Sequence, residues 1–348
     1  MRLCLTFLCG LSLASLLPSA GHAGPWLVAD LDSGRVIAAE NATDPWHPAS
    51  VTKLMTAYVA LKAVKTGRIQ MNTALTVSER AAAMPPSKIG MKAGSTLTLD
   101  AALKILMVKS ANDVAITVAE NISGSVEAFA EEMNREAARL GMSESHFVNP
   151  NGLFADGQQS SARDMAILAR RLILDFPRQN GLFGIPAIQI GKRVMENTNG
   201  IIGRYQGATG LKTGFICASG FNVVASAQRN GHRLIAVVFG ANSGAERTLK
   251  TMELLDKGFA APQTAFQQSL DLLPKSRAPL TDLRGIICGQ KDQNENESPS
   301  EAANTPTPHV PPPLPPREKA EPVLVHLGGG KAPLTKKPSD PKPATKKG

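Results

Sequence analysis

The chain has 348 residues, 43% of them hydrophobic and only 4% aromatic, enough apolar side chains for one substantial core and at most a small second domain. The net charge of +9 would normally suggest nucleic acid, but between Arg317 and Gly348 eight Lys or Arg stand against three Asp or Glu, so much of the excess lies in a Pro-rich tail. Nucleic acid is therefore excluded as an expected partner, and the tail reads as a solvated spacer or a weak contact with an anionic envelope surface.

At the start of the chain, Arg2 precedes an apolar run from Leu3 to Leu17 that Pro18 breaks, and small residues end at Gly21-His22-Ala23. This pattern predicts a secretory signal over residues 1–23 and an exported mature protein, located in the periplasm or cell envelope. The run falls short of the roughly 20 apolar residues that a membrane span needs. Cys4 and Cys9 would leave with the signal, and the residues before Cys9 do not form a lipid-attachment site. Cys217 and Cys288 remain and could pair in an oxidising compartment, a point that sequence alone leaves open.

The folded part is expected over residues 24–262. Two short apolar runs, 26–30 and 36–39, flank Asp32-Ser33-Gly34 and predict a β-hairpin. From Ser50 to Thr66 the apolar residues Leu54, Ala57, Tyr58, Leu61 and Val64 recur every three or four positions, which predicts an amphipathic helix ended by Gly67. Further helices are predicted over 99–108, 113–122, 126–140 and 162–174. Strand patterns return over 184–190, 209–217, 221–227 and 234–239, the last two joined by a turn containing Asn230-Gly231, and a helix over 247–259 closes the domain. Strands at both ends with a mainly helical middle section predict an α+β, three-layer domain, its antiparallel sheet formed by both ends and covered by helices. Residues 263–290 are too few for a second domain and read as a short connecting segment. The composition of residues 291–348 predicts a disordered Pro/Lys-rich tail.

Three short motifs carry candidate chemistry. Ser50-Val51-Thr52-Lys53 opens a helix, where residues three apart share a face, so the Lys53 amine can reach the Ser50 hydroxyl. A serine becomes a strong nucleophile when an adjacent base takes its proton. Ser110-Ala111-Asn112 lies between two helical patterns, where a hydroxyl and a carboxamide could relay a proton and orient an amide. Lys212-Thr213-Gly214 lies in a strand pattern, where a cation and a hydroxyl could bind a carboxylate and the glycine admits a substrate backbone. Each motif alone also reads as ordinary structure, Ser50 and Ser110 as helix caps. Decoys carry the same letters: Ser339-Asp340-Pro341-Lys342 in the tail, and Lys65-Thr66-Gly67 at a helix end. The three motifs in this order, on these three kinds of element, are far less easily explained as accident.

With these motifs go the stretches 47–55, 109–113, 149–153, 162–166 and 238–241, and together they make the chain resemble the D-alanyl-D-alanine carboxypeptidase family of low-molecular-mass penicillin-binding proteins. The resemblance spans roughly residues 26–259 and implies a β-lactamase/transpeptidase-like fold. It implies that Ser50 is acylated, Lys53 takes its proton, Ser110 passes a proton to the leaving amine and Asn112 holds the acyl amide. It also implies that Lys212, Thr213 and Arg247 bind the terminal carboxylate, Gly214 lets the substrate backbone approach, and the backbone N–H groups of Ser50 and Phe215 form the oxyanion hole. The implied substrates are peptidoglycan stem peptides, the implied covalent inhibitors are β-lactams, and no metal or other cofactor is expected. Departures from the family are Ile216, where a Thr is common, and Gln158 and Gln159 in place of a usual His. No Glu-x-x-Leu-Asn deacylation motif is present, which disfavours a β-lactamase. An endopeptidase of peptidoglycan cross-links, using the same groups, and a catalytically silent peptidoglycan-binding protein are the alternatives.

Overall fold

The computed structural model describes residues 24–262, 268–289 and 311–328, so the expected signal segment lies outside the described residues. Near the N-terminus, β1 (Trp26–Asp30) and β2 (Val36–Glu40) form the expected hairpin. A 3-10 turn, Ala49–Thr52, then leads into α1 (Lys53–Lys65). A small two-stranded sheet, β3 (Ala74–Thr76) and β4 (Thr96–Thr98), brackets α2 (Glu79–Ala82). The helical section continues with α3 (Leu99–Lys109), α4 (Asn112–Ser123), α5 (Val126–Leu140) and α6 (Ala162–Asp175). After it come β5 (Ala187–Ile190), β6 (Arg193–Glu196), β7 (Ala208–Ile216), β8 (Gly220–Arg229), β9 (His232–Ala241) and α7 (Gly244–Ala260).

The main sheet runs β2-β1-β9-β8-β7 and is antiparallel throughout, so the two ends of the domain complete one sheet, as predicted. Its strands are apolar on both faces because both are covered. Leu234, Ala236 and Val238 join Leu254 and Leu255 of α7 on one side, while Ile235, Val237 and Phe239 face the core that contains α6 and α1. Residues of opposite parity thus enter opposite layers, which makes a central strand read as an unbroken hydrophobic run. Every residue of α1 from Lys53 to Leu61 is buried, so this helix is the spine of the helical layer.

Some expectations need correction. The strand expected over 184–190 is present as β5, and a strand that was not expected, β6, pairs with it as a hairpin. The expected 247–259 helix begins earlier, at Gly244, because the Ser243 hydroxyl accepts a hydrogen bond from Glu246 N and caps it. Residues 268–289 are not a mere connector: Leu270, Leu283 and Ile287 are buried, and α8 (Arg284–Ile287) leads to Cys288, which is disulfide-bonded to Cys217. The disulfide closes a separation of 71 residues. Replacing both cysteines with serine is expected to lower unfolding free energy by about 4 kcal/mol, within the usual range for loops of this size. Denaturant midpoints of wild type and double variant, with reductant added to the wild type as a second arm, check this.

Within the tail predicted to be disordered, residues 311–328 are ordered. Here β10 (Val323–Leu324) adds to β5 in parallel, pairing Val323 with Ile188 and Leu324 with Gln189, and Val325 is buried. The segment buries little apolar surface of its own, and its order comes from the strand on which it docks. A free strand edge supplies backbone hydrogen bonds, and prolines have little φ freedom to lose on docking. The Lys-rich residues 329–348 lie outside the described residues.

Candidate active site

The candidate residues meet where the edge strand β7 packs against the 3-10 turn that leads into α1. Ser50 sits in the 3-10 turn ahead of α1, immediately after Ala49, whose φ of 50° is left-handed. Its hydroxyl does not cap the turn: Pro48 holds the cap position, and no side chain bonds to the free N–H groups there. Lys53 is fully buried, with its Nζ 2.8 Å from Ser50 Oγ, 2.9 Å from Asn112 Oδ1 and 2.6 Å from the Asn151 carbonyl oxygen. A carbonyl and a carboxamide oxygen can only accept, whereas a hydroxyl can also donate. The amine therefore donates to the Asn112 and Asn151 oxygens and stands within hydrogen-bond reach of the Ser50 hydroxyl.

Ser110 ends α3 in a left-handed conformation, φ 63° and ψ 30°, and is buried; it does not cap α4, where Ala111 holds that position with no side-chain bond. A non-glycine residue held there, two positions before the Asn112 that meets Lys53, is the kind of strain that recurs at working sites. A loop wraps the motif. Asn112 Nδ2 donates to the carbonyls of Pro85 and Pro86, both at 3.1 Å. The Asp113 carboxylate accepts from Ile89 N and Gly90 N. Asn112 is thereby fixed so that its oxygen faces Lys53.

On the opposite wall, β7 is the outermost strand of the main sheet, and Gly214 lies against the nucleophile turn: an added Cβ would stand 2.7 Å from Ser50 N and 3.0 Å from Val51 N. Side chains two apart on a strand share a face, so Lys212, also buried, projects from the side of β7 that Gly214 presents to Ser50. Its Nζ donates to the Thr213 carbonyl at 2.9 Å. Thr213 Oγ1 is 2.7 Å from Thr198 Oγ1, and Arg247 Nη2 donates to the Thr198 carbonyl at 3.3 Å. Phe215 pairs with Phe221 across the ladder, their rings 4.3 Å apart. Ile216 packs with Ala49, Ala218 and Phe154, an apolar patch beside Ser50.

Several residues that hold this geometry were not singled out from sequence. Asn222, fully buried in β8, donates from Nδ2 to the His47 and Pro48 carbonyls, and its Oδ1 accepts from Gly240 N. Its only signal is a carboxamide inside an otherwise apolar strand. Thr56, three positions past Lys53 on the same helix face, donates to the Pro150 carbonyl and holds the loop that supplies the Asn151 oxygen. Gln158, by contrast, is one of the departures from the family; its Oε1 accepts from Val148 N and Asn149 N and so orders that loop. Burial holds the His47 imidazole below its usual 6.5, with Asp282 pulling the other way. The decoy at Lys65-Thr66-Gly67 is a helix end with Thr66 as its cap, and residues 339–342 lie outside the described residues.

The family model described as "D-alanyl-D-alanine carboxypeptidase" matches residues 14–243. Among curated relatives, D-alanyl-D-alanine carboxypeptidase DacF of Bacillus subtilis is 34% identical over 288 residues, covering 76% of this chain and 72% of that protein. DacD of Escherichia coli is 35% identical over 248 residues, covering 69% of this chain but 64% of the relative, just under two thirds of its length. Among solved structures, penicillin binding protein 6B of Escherichia coli has a TM-score of 0.66 at 34% identity, covering 71% of this chain and 80% of that one. Penicillin-Binding Protein D2 of Listeria monocytogenes, solved in an ampicillin-bound form, has a TM-score of 0.62 at 32% identity, covering 68% and 97%. By this match, which spans more than half of its length, the chain belongs to the D-alanyl-D-alanine carboxypeptidase family of serine peptidases.

Proposed function

We propose that the protein, exported to the periplasm or cell envelope, removes the terminal D-alanine from peptidoglycan stem peptides through an acyl-enzyme on Ser50. The observation that carries the assignment of roles is the buried Lys53 nitrogen, set between the Ser50 hydroxyl, the Asn112 oxygen and the Asn151 carbonyl. In the first step Ser50 Oγ bonds to the carbonyl carbon of the penultimate D-alanine while its proton passes to Lys53 Nζ. The oxyanion is held by the N–H groups of Ser50 and Phe215. The C–N bond then breaks, the leaving amine takes a proton through Ser110, and terminal D-alanine departs. Water adds to the ester and releases the shortened peptide as a carboxylate, returning the proton to Ser50. Asn112 orients the acyl amide, and Gly214 lets the substrate backbone lie along β7. Lys212, Thr213 and Arg247 neutralise the terminal carboxylate. β-Lactams acylate the same hydroxyl.

Incubating the mature protein with a pentapeptide and with a D-alanyl cross-linked dimer, and weighing the products, tests the substrate class. Loss of 1 D-alanine from the pentapeptide is expected, roughly tenfold faster than cleavage of the dimer, a discrimination within the range that pocket contacts supply. Preference for the dimer would make the protein an endopeptidase. A fluorescent penicillin is expected to label wild type and not Ser50→Ala, and label on that variant would sink the assignment of the nucleophile.

A further inference from the structure

The ordered tail segment 311–328 crosses the domain on the far side of the wall that holds Thr213. Arg204 Nε donates to the Pro315 carbonyl at 2.8 Å, Glu318 N to the Gly203 carbonyl at 2.7 Å, and Val325 N to the Gln189 carbonyl at 2.9 Å. Between these points the Arg317 side chain, 16% exposed, turns inward: Nη1 donates to the Asn197 carbonyl at 3.0 Å and Nη2 to the Asn199 carbonyl at 2.9 Å. The two carbonyls flank Thr198. One guanidinium fork therefore spans the residue whose hydroxyl meets Thr213 and whose carbonyl meets Arg247. Glu196, mostly exposed, also receives Nη1 at 3.2 Å.

The turn over 197–200 is anchored at one end, where Asn197 N and Nδ2 donate to the Pro186 and Ile185 carbonyls, and at the other, where Arg204 Nη1 donates to the Gly200 carbonyl. Its internal bonds run from Asn199 N to Asn197 Oδ1 and from Ile201 N to Asn199 Oδ1, and Gly200 sits so close to α7 that an added Cβ would stand 2.2 Å from Thr248 Oγ1. The turn is wedged between α7, β7 and the tail, so a change on the tail side is passed to Thr198 rather than absorbed. A planar fork holds two carbonyls at a fixed separation and angle, which a compact, freely rotating ammonium does less rigidly.

We propose that the C-terminal segment is a strap that positions the carboxylate-binding wall of the cleft, with Arg317 as the positioning residue acting through Thr198 on Thr213 and Arg247. The inference rests on the reading of Lys212, Thr213 and Arg247 as the carboxylate site. It also gives the Pro-rich tail a task in substrate binding, carried by a segment remote in sequence from all three motifs.

The test uses the full mature chain with two substrates: a diacyl-lysyl-D-alanyl-D-alanine, which has a terminal carboxylate, and an acyl-D-alanine p-nitrophenyl ester, which lacks one. Arg317→Ala is expected to raise KM for the peptide about tenfold, leave kcat within about twofold, and leave ester hydrolysis unchanged, the signature of lost binding rather than lost chemistry. Arg317→Lys, which keeps charge and most volume and so tests the idea even if the alanine variant unfolds, is expected to raise KM as well. An unchanged KM in either variant, or an equal loss on the ester, would overturn the strap's role. Thr213→Val separates the two readings. If it raises the peptide KM while the Arg317 variants do not, only the strap fails; if it leaves the peptide KM unchanged, the carboxylate site itself fails.

Discussion

Lys53→Met is expected to lower the second-order rate of penicillin acylation by about 1,000-fold, the middle of the range for loss of a positioned base. Methionine keeps the length and the packing of the buried stem but has no nitrogen. Ser50 Oγ then loses its 2.8 Å proton acceptor, and the Asn112 oxygen and Asn151 carbonyl lose a shared donor. Because those two oxygens are buried, the substitution also costs about 1–3 kcal/mol of stability for each one left unpaired. Rates are therefore compared under conditions where circular dichroism shows the variant folded. A rate within tenfold of wild type would mean that another group takes the Ser50 proton.

The second large effect is expected from one methyl group. Gly214→Ala places a Cβ 2.7 Å from Ser50 N and 3.0 Å from Val51 N, and both are backbone atoms that cannot rotate away. Nor can β7 retreat without consequence. Gly214 pairs with Asn222, and Asn222 holds the His47 and Pro48 carbonyls, so the strand and the nucleophile turn share one clamp. A displacement on the order of 1 Å between the nucleophile and its binding wall costs roughly 100-fold in kcat/KM. The decoy provides the control. Gly67→Ala meets no heavy atom within 4 Å, although its φ of +73° is left-handed, so it should cost about 1–2 kcal/mol of stability and leave acylation unchanged. Equal loss of activity in the two variants would show that Gly214 acts through stability alone.

These two residues also show how far the sequence could be read. Ser50 and Lys53 are three positions apart, so their meeting follows from local geometry, and the 2.8 Å contact is what the spacing implied. Lys212 to Gly214 could be placed on a strand, but the approach of that strand to Ser50 brings together residues more than 150 positions apart and has no local signature. The capping alternatives for Ser50 and Ser110 were equally legible in sequence, and were removed only when Pro48 and Ala111 were found in the cap positions.

What the sequence determined by itself is whatever shows as the local run or period of an element or lies within a turn of it: the apolar strand runs of the sheet, the helical middle section, and each motif's internal spacing. Tertiary structure decided the rest. The Cys217–Cys288 bond, the Asn222 clamp, the seat of Thr198 between Thr213 and Arg247, and the docking of residues 311–328 join positions distant along the chain. Such contacts leave no periodic trace, because their free energy comes from surfaces that exist only after the separate elements have packed. A Pro-rich segment with little apolar surface of its own can therefore be ordered by an edge strand and a row of carbonyls that its own composition does not reveal.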